Sequence, residues 1–333
     1  MLENIGFYTL SDERARASSS SSPLVRCELI LTGRCNFRCP YCRSVGGRDM
    51  SMRRATETVR LWCADGLRNI RFSGGEPTLY AGLRDLVKQA KAGGVERIAI
   101  STNGSADMEL YRALVAAGAN DFSVSLDACC SEDGDRMAGE RKGAFERVES
   151  AVRELSRLTY TTVGVVLTAD NQASAEEIIK FADALGVHDI RVIPAAQHGT
   201  RLSALNVPRD LRQKYPILDY RLGKFERGEQ VRGLSAGDPV RCGLVLDDMA
   251  VMGDRHYPCI IYLREGGEAI GKVGPKMREE RERWSLAHDC LTDPICSRNC
   301  LDVCRDFNAV FESSNRQGHT PTVGRSSWTR WLD

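Results

Sequence analysis

Three cysteines carry the first chemistry in this chain. They fall in Cys35-Asn36-Phe37-Arg38-Cys39-Pro40-Tyr41-Cys42, a C-x3-C-x2-C spacing that lets three thiols converge on one metal cluster from a single loop. Iron–sulfur clusters usually take four thiolates, so three leave one iron with open positions for a substrate or cofactor. A structural zinc or iron–sulfur loop with a distant fourth ligand is the alternative. Downstream lies Ser73-Gly74-Gly75-Glu76-Pro77. Two glycines at a strand end allow close backbone approach, and backbone carbonyls accept hydrogen bonds from an ammonium. Glu76 can add a charge-assisted one.

A second group of thiols begins beyond residue 215: Cys242, Cys259, Cys290, Cys296, Cys300 and Cys304. The segment between the first two contains Gly253 and reads as a hairpin with a cysteine at each base. In Cys290-x5-Cys296-x3-Cys300-x3-Cys304 the last three could share one helix face. A structural zinc is again the alternative. The chain has 13 cysteines, an odd number, and no charged-then-apolar start of a secretory kind. Reduced, metal-binding thiols are therefore expected rather than a disulfide framework.

The elements that must position these groups follow from periodicity. Val25–Leu31 reads as a buried strand with Cys27 inside it, and it delivers the cysteine loop at its C-terminal end. A helix over about Met52–Asp65 follows, then strands at Asn69–Ser73, Arg97–Thr102, Asp121–Leu126, Thr162–Leu167 and Ile190–Ile193. Between them, helical spacing appears at Leu83/Leu86/Val87/Ala90, around Leu110/Leu114/Val115, over Ala144–Leu158 and at Ile178/Phe181/Ala182/Leu185. Alternation of this kind predicts a parallel α/β sheet with right-handed crossovers, either a partial barrel or an open doubly wound sheet. The candidate loops all follow strands and so gather on one rim. They include Ser101-Thr102-Asn103-Gly104 and Ser123-Val124-Ser125-Leu126-Asp127, whose polar residues serve either a ligand or a strand end. Arg141 can meet a carboxylate or only solvent.

Composition narrows the partners. The 333 residues are 42% hydrophobic, and 46 Lys and Arg stand against 45 Asp and Glu. That balance argues against nucleic acid as the primary partner. No apolar run of about 18 residues suggests a membrane span. A soluble, cytoplasmic protein with no membrane partner is expected. Residues 1–24, ending in Ser18–Ser22 and Pro23, read as a mobile leader. The expected divisions are a barrel over 25–215, a cysteine-bearing domain over 216–310 and a tail over 311–333.

The first motif pair resembles the radical S-adenosylmethionine (radical SAM) superfamily. That resemblance implies a partial (β/α)6 barrel and a 4Fe–4S cluster on Cys35, Cys39 and Cys42. Its open iron chelates S-adenosylmethionine, and reductive cleavage gives a 5′-deoxyadenosyl radical. It further implies cofactor contacts from Tyr41, Gly74, Gly75, Glu76, Pro77, Thr102, Asn103, Ser125, Asp127 and Ile193, with a reductant such as flavodoxin or ferredoxin. The C-terminal cysteines resemble the twitch domain, the shortened SPASM extension that carries an auxiliary 4Fe–4S cluster. The implied ligands are Cys242, Cys259, Cys296 and Cys300, with Cys290 or Cys304 as replacements. A full SPASM domain would have a further cysteine at the position of Ala287, and its absence favours one auxiliary cluster. Cys129 and Cys130 are candidate hydrogen-atom donors to a substrate radical, with Cys290 and Cys304 beside them.

With no additional N-terminal domain of the leader-binding kind, the expected substrate is small and polyhydroxylated: a sugar, aminocyclitol, nucleoside or nucleotide sugar in natural-product biosynthesis. Peptide or protein modification is the alternative. Molybdopterin-precursor synthesis is disfavoured by the C-terminal Trp328-Thr329-Arg330-Trp331-Leu332-Asp333, which lacks a Gly-Gly-type tail. A non-catalytic iron–sulfur protein is the remaining class.

Overall fold

The structure is a computed structural model that describes residues 12–196 and 205–316. Six parallel strands form its centre: β1 (Arg26–Thr32), β2 (Asn69–Gly74), β3 (Arg97–Thr102), β4 (Asp121–Ser125), β5 (Tyr160–Leu167) and β6 (Asp189–Pro194). They run in the order β6-β5-β4-β3-β2-β1 without β6 pairing to β1, so the barrel is partial.

The strands alternate apolar and polar residues, and the two faces do different things. Leu29, Phe72, Ile100, Phe122, Val163 and Ile190 have no solvent exposure. They pack into one core with Val59 and Trp62 of α2 (Met52–Ala64), Leu86 and Val87 of α3 (Leu83–Ala92), Leu114 of α4 (Met108–Ala117), Val152 and Leu155 of α6 (Ala144–Leu158) and Ile178 of α7 (Ala175–Ala184). Each fully buried side chain of this size contributes roughly 1.5–3 kcal/mol. The inner face carries Arg71, Ser73, Ser101, Ser123, Ser125 and Arg191. Register brings Ser101 beside Ser123, and Gly164 beside both Ser125 and Arg191. A polar inner surface under a buried apolar shell is what a ligand-holding barrel requires.

The sheet does not end at residue 215. After α8 (Arg209–Lys214) and α9 (Pro216–Glu226), β7 (Asp248–Met252) pairs in parallel with β1, Arg26 to Asp248 and Ile30 to Met252. It turns back as β8 (Arg255–Tyr257), which pairs with the short β9 (Gly271–Lys272). The C-terminal region is therefore continuous with the barrel's sheet rather than a separate layer. Arg281, on α11 (Met277–Ala287), is fully buried and binds it together. It donates to the carbonyls of Val245 (2.8 Å), Tyr257 (3.1 Å) and Asp248. A second buried pair, Arg221 with Asp302 at 2.8 Å, ties α9 to α13 (Asp302–Arg316).

Two expectations change here. The segment after residue 11 is not a free leader: Asp12–Ala17 is a helix (α1) that buries Ala15 and pairs Arg14 with Asp247. The serine run folds into a hydrogen-bonded turn whose carbonyls, at Ser20 and Ser22, accept from Arg278. The long connection after β4 also contains a helix, α5 (Ser131–Met137). Residues 1–11 and the C-terminal Trp328–Asp333 lie outside the described residues.

Candidate functional site

The C-terminal ends of the six strands surround a cavity of about 310 Å³, and Cys35, Cys39 and Cys42 stand on its wall. The cysteine loop is anchored by its own turn, Cys42 N–H donating to the Cys39 carbonyl at 3.0 Å. Neighbouring loops hold it from both sides. Gly75 and Glu76 N–H donate to the Thr32 and Arg34 carbonyls, each at 2.8 Å, and the Asn103 amide reaches Asn36 Oδ1 at 2.9 Å and Cys35 Sγ at 3.7 Å. Gly74 (φ +150°) and Gly75 lie so close to that backbone that a Cβ would run into the Thr32 and Arg34 carbonyls. The double glycine thus brings the second motif flush against the first, both facing the cavity.

Burial pushes the Cys39 thiol up to about 12, with the Asp127 carboxylate and the two neighbouring thiols adding to the shift. A thiol placed as Cys39 is becomes a thiolate when a cation shares the site. Donor chemistry and the backbone cradle therefore fit an iron–sulfur cluster with a small zwitterionic ligand beside it.

Several expected contacts have other work. Glu76 does not reach the cavity: it is fully buried, and its carboxylate accepts from Thr78 N–H (3.1 Å), Thr78 Oγ1 (2.7 Å), Thr102 Oγ1 (2.7 Å) and Asn103 N–H (2.7 Å). It locks the second motif to the end of β3 and so shapes the rim. Pro77 is buried at the start of a single 3-10 turn, also off the cavity wall. Tyr41 lines the cavity, and its phenol donates to Asp127, which also accepts from Val166 N–H at 2.7 Å. Burial raises the Asp127 carboxyl to about 6. Thr102, Asn103, Ser125, Asp127 and Ile193 all line the cavity. Arg141 is exposed on the loop before α6 and faces solvent.

Cys129 and Cys130 are not on the cavity wall. Cys130 is exposed and donates to Asp133, and Cys129 packs at the edge of the core. Ala128 before them and Gly134 and Met137 of α5 do line the cavity, so the wall passes these two thiols by.

Four guanidinium groups were not singled out by the sequence: Arg43, Arg191, Arg232 and Arg264 all line the cavity. For Arg191 a signal existed, a charge at an inward position of a short apolar strand. The other three come from irregular or C-terminal segments that only folding brings here. Arg264 ends α10 (Ile260–Arg264) and donates to the Gly74 carbonyl (3.2 Å), Ser73 Oγ (3.4 Å) and the Arg43 carbonyl (3.2 Å).

The opposite end of α10 is capped by Cys259, whose sulfur accepts from Tyr262 N–H at 3.4 Å. There, Cys242, Cys259, Cys290, Cys296, Cys300 and Cys304 all border one enclosed, mostly apolar pocket of about 40 Å³. The last three do not share a single helix as expected. Cys296 opens the short α12 (Cys296–Asn299), Cys300 ends it, and Cys304 lies in α13 after a break at Leu301. That break is fixed by a bridge from Leu301 to Arg232. Burial and thiol–thiol contacts raise the Cys259 and Cys300 thiols. His288, Cys290 and Cys296 bring their ligand atoms within 4.8 Å of one another. His288 was missed because a single histidine has no motif around it.

A family model described as the radical SAM superfamily matches residues 29–182. Among curated proteins, the GTP 3',8-cyclase of Chlorobaculum tepidum is 30% identical over 169 residues, 49% of this chain and 51% of that protein. Molybdenum cofactor biosynthesis protein 1 of Drosophila melanogaster is 33% identical over 164 residues, 46% of this chain and 28% of that protein. The chain thus spans about half, or less, of the length of these relatives. Among solved structures, Streptococcus suis SuiB bound to its precursor peptide SuiA superposes with a TM-score of 0.60 at 14% identity, over 93% of this chain and 76% of that one. The enzyme anSMEcpe, with bound AdoMet and the Kp18Cys peptide, gives 0.58 at 15% identity, over 89% and 98%. These two share the fold.

Proposed function

We propose, from the premise that this chain belongs to the radical SAM superfamily through its residues 29–182, that it abstracts hydrogen from a small polyhydroxylated substrate such as a sugar, aminocyclitol, nucleoside or nucleotide sugar. The observation that carries this reading is the shared cavity: three thiols, the Gly74–Gly75 backbone and the polar strand ends open onto one space of about 310 Å³. That volume is at the small end of ligand pockets. With a 4Fe–4S cluster and S-adenosylmethionine bound, the site would gain reductive sulfonium cleavage and a carbon radical able to take a substrate hydrogen.

The chain's own residues supply the rest. Cys35, Cys39 and Cys42 would hold the cluster on the cavity wall. The carbonyls around Gly74 and Gly75 receive the ammonium of the methionine moiety, and Thr102, Asn103 and Ser125 receive its carboxylate or ribose. Asp127, oriented by Tyr41 and Val166, and Ile193 bound the adenine side. The apolar wall, including Phe37, Met137 and Phe145, keeps water from the reacting carbon. Cys242, Cys259, Cys296 and Cys300, with Cys290 or Cys304 as replacements, form an auxiliary cluster site of the twitch kind. A flavodoxin or ferredoxin in the cytoplasm is the matching reductant.

GTP is the substrate in the name of the Chlorobaculum tepidum relative, which supports the nucleotide members of the proposed class. The two solved neighbours hold peptides, and peptide modification is the competing reading. At the C-terminal set, the close grouping of His288, Cys290 and Cys296 favours a single zinc as the alternative to a cluster. The test is 5′-deoxyadenosine formation by the anaerobically reconstituted chain against sugars, nucleotides and peptides. Stimulation by a peptide and by no sugar or nucleotide would overturn the substrate class.

A further inference from the structure

One wall of the cavity lies at the seam between the barrel and the C-terminal region, and guanidinium groups dominate it. Arg43, Arg191, Arg232 and Arg264 face two carboxylates, Asp127 and Glu265. Most of these charges are committed. Arg43 pairs with Glu265, Arg191 donates to Ser123 Oγ at 2.9 Å, and Arg264 spans the Gly74 and Arg43 carbonyls. Asp127 is taken by Tyr41 and Val166 N–H.

Arg232 is different. Its Nε donates to the Pro194 carbonyl at 3.1 Å, which fixes the fork at the end of β6, while its Nη1 is buried with no hydrogen-bond partner among the described residues. An unpaired guanidinium nitrogen away from water is destabilising until an acceptor meets it. Burial, with Arg43 and Arg221 nearby, depresses this group to about 10. A cavity that keeps such a group has a place for an anion.

We infer that the seam is an oxyanion subsite in which Arg232, beside the Arg43–Glu265 pair, grips a phosphate or carboxylate of the substrate. This rests on the proposed reading of the cavity as a substrate pocket, and it narrows that class to anionic members such as sugar phosphates, nucleotides or sugar acids. A cationic aminocyclitol is disfavoured by the same charges. Arginine suits the task because its planar fork matches an oxyanion with two parallel hydrogen bonds.

The test is calorimetric titration of the full chain, reconstituted anaerobically and loaded with S-adenosylmethionine. Ribose 5-phosphate is compared with ribose for the phosphate source, and gluconate with glucose for the carboxylate source. One anionic probe should bind at least about tenfold tighter than its neutral counterpart. That advantage should vanish in Arg232→Met, return in part in Arg232→Lys, and shrink in Arg43→Gln, with iron content confirming that each variant folds. No preference for either anion, or the same preference in all variants, overturns the subsite. Cofactor cleavage by the unmodified chain is measured separately. Anion binding without cleavage would refute the radical reading and leave the subsite standing.

Discussion

Cys35 and Cys42 are exposed on the wall of an open cavity of about 310 Å³, whereas the six C-terminal thiols crowd around an enclosed, apolar pocket of about 40 Å³. The first group comes from one loop and has three thiols. The second is assembled from a hairpin flank, a helix cap, a turn, the short α12 and the first turn of α13, and has more thiols than one cluster needs. Metal sites that exchange a ligand keep an open position, and sites that only hold a metal are closed by protein groups. By that contrast the loop suits a site that takes a ligand, and the C-terminal pocket suits the closed metal site proposed for it. The two are not independent. The five-residue α10 begins at the Cys259 cap and ends at Arg264, which hydrogen-bonds the Gly74 carbonyl.

The largest test of this contrast is Cys39→Ala. Deoxyadenosine formation should fall to background while iron in the C-terminal pocket stays; retained cleavage, followed by chromatography, would sink the assignment of the loop. Next is Cys259→Ala, which should lose the second set of irons yet keep uncoupled cofactor cleavage. Unchanged iron by elemental analysis would remove Cys259 from the ligand set, and zinc in place of iron would favour the mononuclear alternative.

Arg264→Met probes the link itself. Losing its hydrogen bonds to the Gly74 loop should weaken S-adenosylmethionine binding by about tenfold, read by equilibrium dialysis, with both clusters still assembled. Equal affinity would make α10 a spacer only.

A smaller effect concerns acid stability of the C-terminal region. His256 is fully buried; Arg281 lies 3.2 Å from its Nδ1 and donates to it, so the ring proton sits on Nε2, 2.9 Å from Glu280. Burial and the Arg281 charge depress its pKa from 6.5 to about 4. Because the folded chain resists a proton that the unfolded chain accepts, this stability is fully present above pH 6.5 and is lost as pH falls toward about 4. Thermal midpoints should drop by a few degrees over that window in the wild type. His256→Gln should flatten the slope, and an unchanged slope would assign it to carboxylates elsewhere.

The cysteine loop and the double glycine were legible because each packs its chemistry into a few consecutive residues. The barrel was legible for a related reason: strand and helix periods are local, and all six strands fall within a few residues of their expected bounds. Individual roles were harder to read. Glu76 looked like a ligand and became a brace, because its four donors come from Thr78 and the end of β3. Cys129 and Cys130 looked available and lie off the cavity wall, because Cys129 packs at the edge of the core and Cys130 is exposed beside Asp133.

What the sequence determined by itself was therefore the sheet, the first cluster loop and the kind of chemistry they serve, since short-range spacing encodes each. Tertiary structure alone decided which charges meet in the cavity. Arg43, Arg232 and Arg264 are far apart along the chain and carry no shared motif. They converge because β7 pairs with β1 and places the C-terminal region over the open rim. Long-range pairing of that sort is set by burial and strand register summed over the whole sheet, which no short stretch of residues specifies.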